Sequence, residues 1–182
     1  MMINPILAVL ACGPLLCVSL ANASEPQCYT NARYHVAALP YPDDAGNTFS
    51  VIRLNGAAAP AACAFDDKAD LVIGKAGDPL WFGELADDSL ILNRSTGPQG
   101  DLVVYDLASG AAILDVPSDE YERQGNRITF WQRMAQATAE NCPEFAENSA
   151  NGLGSVTAIE KVLDLTTKAV SETGQSKCVS VQ

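Results

Sequence analysis

Between Asp101 and Arg133, in the stretch DLVVYDLASGAAILDVPSDEYERQGNRITFWQR, apolar runs are broken by turn residues, and the rest of the chain is read around it. Successive side chains of a strand point to opposite faces, so Val103, Tyr105 and Leu107 share one face and Leu102, Val104 and Asp106 the other. Both sets are largely apolar, which predicts a strand covered on both sides. Ala108-Ser109-Gly110 supplies a small loop in which Gly110 takes the positive φ of a short connection. Ala111 to Val116 returns as a second apolar strand, and Pro117, with no N–H to donate, ends its ladder. Gln124-Gly125-Asn126 marks another reversal. After it, Ile128 and Phe130 alternate with Arg127, Thr129 and Trp131, the pattern of a strand with one face on a core. The expectation is three antiparallel strands joined by two turns, with the rest of the chain organised around them.

Short apolar runs separated by turn residues recur from Tyr29 onward. They predict strands over 33–39, 48–54, 61–65, 70–73, 80–84 and 89–93, and after the central stretch over 155–164, 168–173 and 176–181. Pro40 to Asn47 is too rich in Pro, Gly and Asp to continue a strand, while Asn55-Gly56 and Asp87-Asp88 read as turns. The rhythm breaks over 135–154. There Asn141-Cys142-Pro143-Glu144 sets a capping residue and a proline ahead of Phe145-Ala146-Glu147, and Gly152 offers a left-handed stop, so one short helix is predicted near 143–150. The fold class is therefore all-β, an antiparallel β-sandwich or flattened barrel built from meanders, with about nine to eleven strands. A faint echo links Val104-Tyr105-Asp106-Leu107-Ala108-Ser109 to Val162-Leu163-Asp164-Leu165-Thr166-Thr167. Hairpins of this kind are similar to those of β-propeller blades, yet so few copies do not make a closed propeller, and the echo is read as shared turn chemistry.

The first 23 residues carry no charged side chain, are mostly apolar, and end in Ala21-Asn22-Ala23. This matches an export segment with a small-x-small cleavage site, although no Lys or Arg stands near its start. Cleavage after Ala23 leaves 182 − 23 = 159 residues, a length for a single β-rich domain over 24–182 with a substantial core. Export implies a periplasmic or extracellular location. Of six cysteines, Cys12 and Cys17 leave with this segment. Cys28, Cys63, Cys142 and Cys178 remain, an even count that in an exported chain predicts two disulfides. Spacing allows three pairings; Cys28 with Cys63 and Cys142 with Cys178 is preferred because each pair brackets one half of the domain. Zinc is disfavoured, since no C-x-x-C pair is present and the single histidine lacks metal-site spacing.

The net charge of −11, from 22 acids against 11 bases, belongs entirely to the mature part. Nucleic acid and anionic membrane surfaces would be repelled, so a basic protein fits better as a partner, and no membrane insertion persists once the export segment is removed. A monomer is expected.

His35, the one histidine, lies within Tyr34-His35-Val36 and has no G-x-S-x-G elbow beside it. A strand histidine with a structural hydrogen bond is the reading adopted. The carboxylates gather as Asp43-Asp44, Asp66-Asp67 with Asp70, Asp87-Asp88, and Asp119-Glu120 with Glu122. Every group falls in a turn, where Asp bonds nearby backbone. Calcium would first choose Asp66, Asp67 and Asp70, but no D-x-[DN]-x-[DN]-G spacing exists and no cofactor is implied. Gly74-Lys75-Ala76-Gly77 lacks the rest of a phosphate loop, and Asn93-Arg94-Ser95 matches a glycosylation sequon only loosely tied to function. Trp81-Phe82 and Phe130-Trp131 are aromatic pairs on strands, one member of each facing a core. Tyr41 and Tyr121, among Pro, Asp and Glu, are predicted to be exposed and are candidate contact residues together with Asp66, Asp67 and Asp70. The function these features favour is a non-enzymatic binding or inhibitory module that presents loops from a rigid β scaffold. One concrete partner is a basic, lysozyme-like hydrolase; a carboxylate-dependent envelope hydrolase and a structural envelope component are the rivals.

Overall fold

The computed structural model describes residues 25–182. The export segment and cleavage after Ala23 expected from the sequence, and Cys12 and Cys17, lie outside the described residues. The architecture is all-β, as the alternation requires: three four-stranded antiparallel meanders follow one another along the chain, with one short helix. The first sheet contains β1 (Gln27–Thr30), β2 (Tyr34–Pro40), β3 (Asn47–Arg53) and β4 (Leu71–Ile73) in sequence order. The second contains β5 (Leu80–Ala86), β6 (Ser89–Arg94), β7 (Asp101–Asp106) and β8 (Ala111–Pro117). The third contains β9 (Tyr121–Gln124), β10 (Arg127–Gln136), β11 (Gly154–Asp164) and β12 (Ala169–Val181), and α1 (Phe145–Ala150) lies between β10 and β11.

The sheets are layered, and the second is covered on both faces. Val36, Phe49 and Val51 of the first sheet pack with Leu80, Leu90, Leu92 and Val103 of the second in one core. Ile91, Leu102, Val104 and Leu114 of the second pack with Ile128, Phe130 and Leu163 of the third in another. Neighbouring residues of β6, Ile91 and Leu92, thus serve different cores, and both are fully buried. This is why β7 reads as apolar on both faces while β10 reads as apolar on one.

The central stretch does not form one unit. Asp101–Asp106 and Ala111–Pro117 belong to the second sheet, whereas Tyr121–Gln124 and Arg127–Gln136 open the third. Pro117 closes the β8 ladder, Ser118 N donates to Gly100 O at 3.1 Å, and the chain crosses to the next sheet there. Residues 61–65 form no strand, because Cys63 is tied to Cys28 of β1 and the whole β3–β4 loop is drawn across the outer face of the first sheet. The two strands expected over 168–181 are one, interrupted by a bulge in which Gly174 has φ +85° opposite Glu160. The helix starts at Phe145 and Gly152 follows it at φ +73°. Asn141, however, is no cap: its Oδ1 accepts from Thr138 N at 2.8 Å.

The echo between β7 and β11 marks equivalent positions in successive sheets. In each sheet the residue after the third strand donates its N–H to the residue before the second: Leu54 to Arg33 O at 2.7 Å, Leu107 to Asp88 O at 2.7 Å, and Leu165 to Asn126 O at 2.8 Å. Asp106 and Asp164 end the third strand of their sheets, and each accepts from turn N–H groups, Ser109 N and Thr166 N respectively. The first sheet has Arg53 at that position and a long loop in place of the tight turn. The molecule is a stack of three related meanders.

Candidate functional site

The cysteines join as Cys28–Cys63 and Cys142–Cys178, with Cα–Cα distances of 5.7 and 5.3 Å. The first bond fastens the 55–70 loop over the outer face of the first sheet, where His35, Ala37 and Ser50 are all buried and Asp66 N donates to Ser50 Oγ. The second ties the segment before α1 to β12. The two bonds are compatible with an oxidising compartment. No helix among the described residues is long and apolar enough to cross a membrane.

The loop covers one end of the stack. The other end is the outer face of the third sheet; among the described residues no disulfide-tied loop crosses it, although Ala158 and Val162 on it are buried. Ile128 and Phe130 point into the core, so Thr129, Trp131 and Arg133 point away from it, and register places Val162, Glu160 and Ala158 beside them. The side chains of this face hold one another. Lys177 Nζ lies over the Trp131 ring, 4.3 Å from its centroid, and Arg133 pairs with Asp119 while donating to Gly100 O at 2.6 Å. Trp131 and Glu120 border two recesses. One, of about 140 Å³, is lined also by Asp119, Arg133 and Lys177. The other, of about 200 Å³, is lined by Glu122, Thr129 and Glu160 and by Tyr121.

The charges here are unbalanced. Elsewhere the acids are partly neutralised: Arg94 alone donates to Asp78 at 2.7 Å, Asp101 at 3.2 Å and Asp115 at 2.6 Å, and Arg123 pairs with Glu84 at 2.5 Å. Among the described residues no base pairs with Glu120, Glu122 or Glu160. The Trp131 ring already holds Lys177, and the three carboxylates around it set up a negative field that attracts a further cationic side chain.

The residues singled out from the sequence do not share one surface. Asp66, Asp67 and Asp70 are exposed on the loop over the first sheet. Asp66 and Asp70 serve backbone groups, Asp66 Oδ1 accepting from Lys68 N at 2.9 Å and Asp70 Oδ2 from Arg53 N of β3 at 2.6 Å. Among the described residues their oxygens are not gathered as a metal cage; the one group of potential ligands, Cys142, Glu144 and Cys178, has both sulfurs in a disulfide. Tyr41 is not an exposed loop tyrosine. Its hydroxyl is buried beside Gly74, and burial raises its pKa. Tyr121 is likewise drawn inward, packing against the second core with its hydroxyl over Gly83; burial raises its pKa, and the nearby Glu84 charge adds to this. In both cases the flanking Pro, Asp and Glu suggested solvent, while neighbouring sheets supplied the cover. His35 is buried in β2 with Nδ1 2.8 Å from Thr30 Oγ1 of the paired strand, the structural hydrogen bond expected of it.

At the turn end of the stack a polar cavity of about 420 Å³ brings Asp87, Asp88 and Asp106 together with Arg33 and Lys168. Burial works against the Asp106 anion, but hydrogen bonds from Lys168 Nζ at 2.5 Å and from Ser109 outweigh it and hold the carboxyl below its ordinary range. A general acid needs the opposite shift. Asp106 is an ionised acceptor that clamps the second sheet to the β11–β12 turn of the third. Sequence reasoning had missed this role, although Asp106 is the one charge in the apolar run Leu102 to Leu107.

No known protein family, no curated protein and no solved structure matches this chain.

Proposed function

We propose that the protein is an exported binding or inhibitory module, periplasmic or extracellular, which engages a basic protein through the outer face of its third sheet. The observation that carries this reading is the placement of Trp131 among Glu120, Glu122 and Glu160, three carboxylates without a basic partner among the described residues, on the outer face of the third sheet. The net charge of −11 would steer a cationic partner toward it, and Trp131 would anchor the complex, since buried aromatic residues carry most of the energy of such contacts. The stacked sheets and two disulfides keep the face rigid, so little ordering entropy would oppose association.

Binding of the mature protein to lysozymes at low and high salt, read by calorimetry together with lysozyme activity, tests the proposal. Trp131→Ala should weaken binding by roughly 30-fold, the effect of a 2 kcal/mol anchor. The triple change Glu120→Gln, Glu122→Gln, Glu160→Gln should slow association and flatten its salt dependence. Lysozymes left fully active, with no basic protein bound at low salt, would sink the reading.

A further inference from the structure

A second recess, of about 220 Å³, opens between the edge strands of the first and second sheets, β1 and β5, and its walls include Gln27, Tyr29, Asn47, Trp81 and Phe82. No residue lining it carries a formal charge, in a chain with 22 acids and 11 bases. Its aromatic surface is fixed in place. Tyr29 and Phe82 are stacked with centroids 3.4 Å apart and planes 4° from parallel. Trp81 is 43% exposed, a costly position for an indole, yet its Nε1 donates to Ser95 O at 2.9 Å and the ring is held rather than free.

The polar groups of the recess are neutral and partly unused. Asn47 is only 8% exposed; its Nδ2 donates to Leu80 O at 3.1 Å, and no donor among the described residues reaches its Oδ1. Gly46 fixes that position: it has φ +92°, and a Cβ there would come within 2.6 Å of Pro79 Cα. The Tyr29 hydroxyl donates to Gln27 Oε1 at 3.0 Å, leaving the Gln27 amide N–H groups as donors and the tyrosine oxygen as an acceptor.

We infer that this groove binds a neutral saccharide. A sugar ring presents a C–H face to an aromatic plane and hydroxyls that both donate and accept, which pairs with Asn47 Oδ1, the Gln27 amide and the Tyr29 oxygen together. A purely apolar ligand would bury Asn47 Oδ1 unpaired, and an ionic ligand would find no counter-charge. The volume lies below the ~300 Å³ at which drug-sized clefts begin, so one ring fits in the recess and its neighbours would run along Trp81.

The test titrates the mature protein with two neutral tetrasaccharides, chitotetraose and maltotetraose, at low and high salt, following tryptophan fluorescence and heat. Saturable binding of at least one, indifferent to salt, is expected. Trp81→Ala, at an exposed position that leaves the cores intact, should weaken it by about tenfold or more, and Gln27→Ala should weaken it less. Val72→Ala, which also trims an exposed apolar side chain but far from the groove, should leave the affinity unchanged. Failure of both tetrasaccharides to bind, or equal affinity in Trp81→Ala and the parent, overturns the inference. No basic protein enters this assay, so its failure leaves the reading of the third sheet standing.

Discussion

Ile91 and Leu92 are adjacent in β6, point in opposite directions, and are both fully buried, one in each core. In a two-layer protein one of two such neighbours would face solvent, and its truncation would cost within about 0.5 kcal/mol. Here Leu92→Ala removes packing between the first and second sheets, and Ile91→Ala does the same between the second and third. Each loses the transfer energy of its deleted methyl and methylene groups and leaves a cavity, so each should destabilise by about 2–5 kcal/mol. For a chain of this size 1 kcal/mol moves Tm by about 2–4 °C, so a 3 kcal/mol loss is a fall of about 6–12 °C. The assay is urea and thermal unfolding of the oxidised protein, comparing the two variants with the parent. Similar losses from both establish that the second sheet has no wet face. A near-neutral Ile91→Ala beside a costly Leu92→Ala would refute the three-layer packing, because only one core would then exist around β6.

Asp106 links stability to pH. Its carboxyl is held below the ordinary range, so its stabilising contribution is fully present above the unfolded value of about 3.9 and is lost as pH falls through the lower folded value. Asp106→Asn should cost about 1–3 kcal/mol near neutral pH and give shallower acid unfolding than the parent, measured as urea midpoints from pH 7 downward; identical acid slopes would exclude the linkage. The disulfides close loops of 35 and 36 residues, and removing either as a double Cys→Ser variant should cost up to about 4 kcal/mol in the chain-entropy description. Peptide mapping under non-reducing conditions should recover Cys28 with Cys63 and Cys142 with Cys178, and a mixed pairing would contradict the way each bond fastens its own segment.

Much of the local structure was legible because it depends on near neighbours. Gly152 after the helix, the Asp87-Asp88 turn with Asp87 at φ +45°, and the alternation along Arg127 to Trp131 all follow from backbone sterics and side-chain period. β1 and β9 escaped because their four residues contain no apolar run, whereas the shorter β4 was legible from Leu71-Val72-Ile73. Residues 61–65 looked like a strand from composition alone, but a loop tied to β1 by a disulfide has no neighbouring ladder to join. Among the site residues, Trp131 was seen as half of an aromatic pair facing out, whereas the approach of Glu120 and Glu160 to it needed the β10–β11 register and the chain crossing after Pro117. Tyr41 and Tyr121 were misplaced because polar neighbours in sequence say nothing of which sheet folds over a ring.

The order of residues by itself determined the all-β class, the reversal points, the short helix, an even set of four thiols over residues 25–182 and the acidic composition, since each rests on a residue's own chemistry or on its next few neighbours. Only the tertiary structure decided that the meanders stack in three layers, which outer sheet face the disulfide-tied loop crosses and that Asp106 meets Lys168, because these depend on contacts between residues as much as 62 apart in the chain. Such contacts are selected by which apolar faces bury one another, a choice that alternation permits but does not specify.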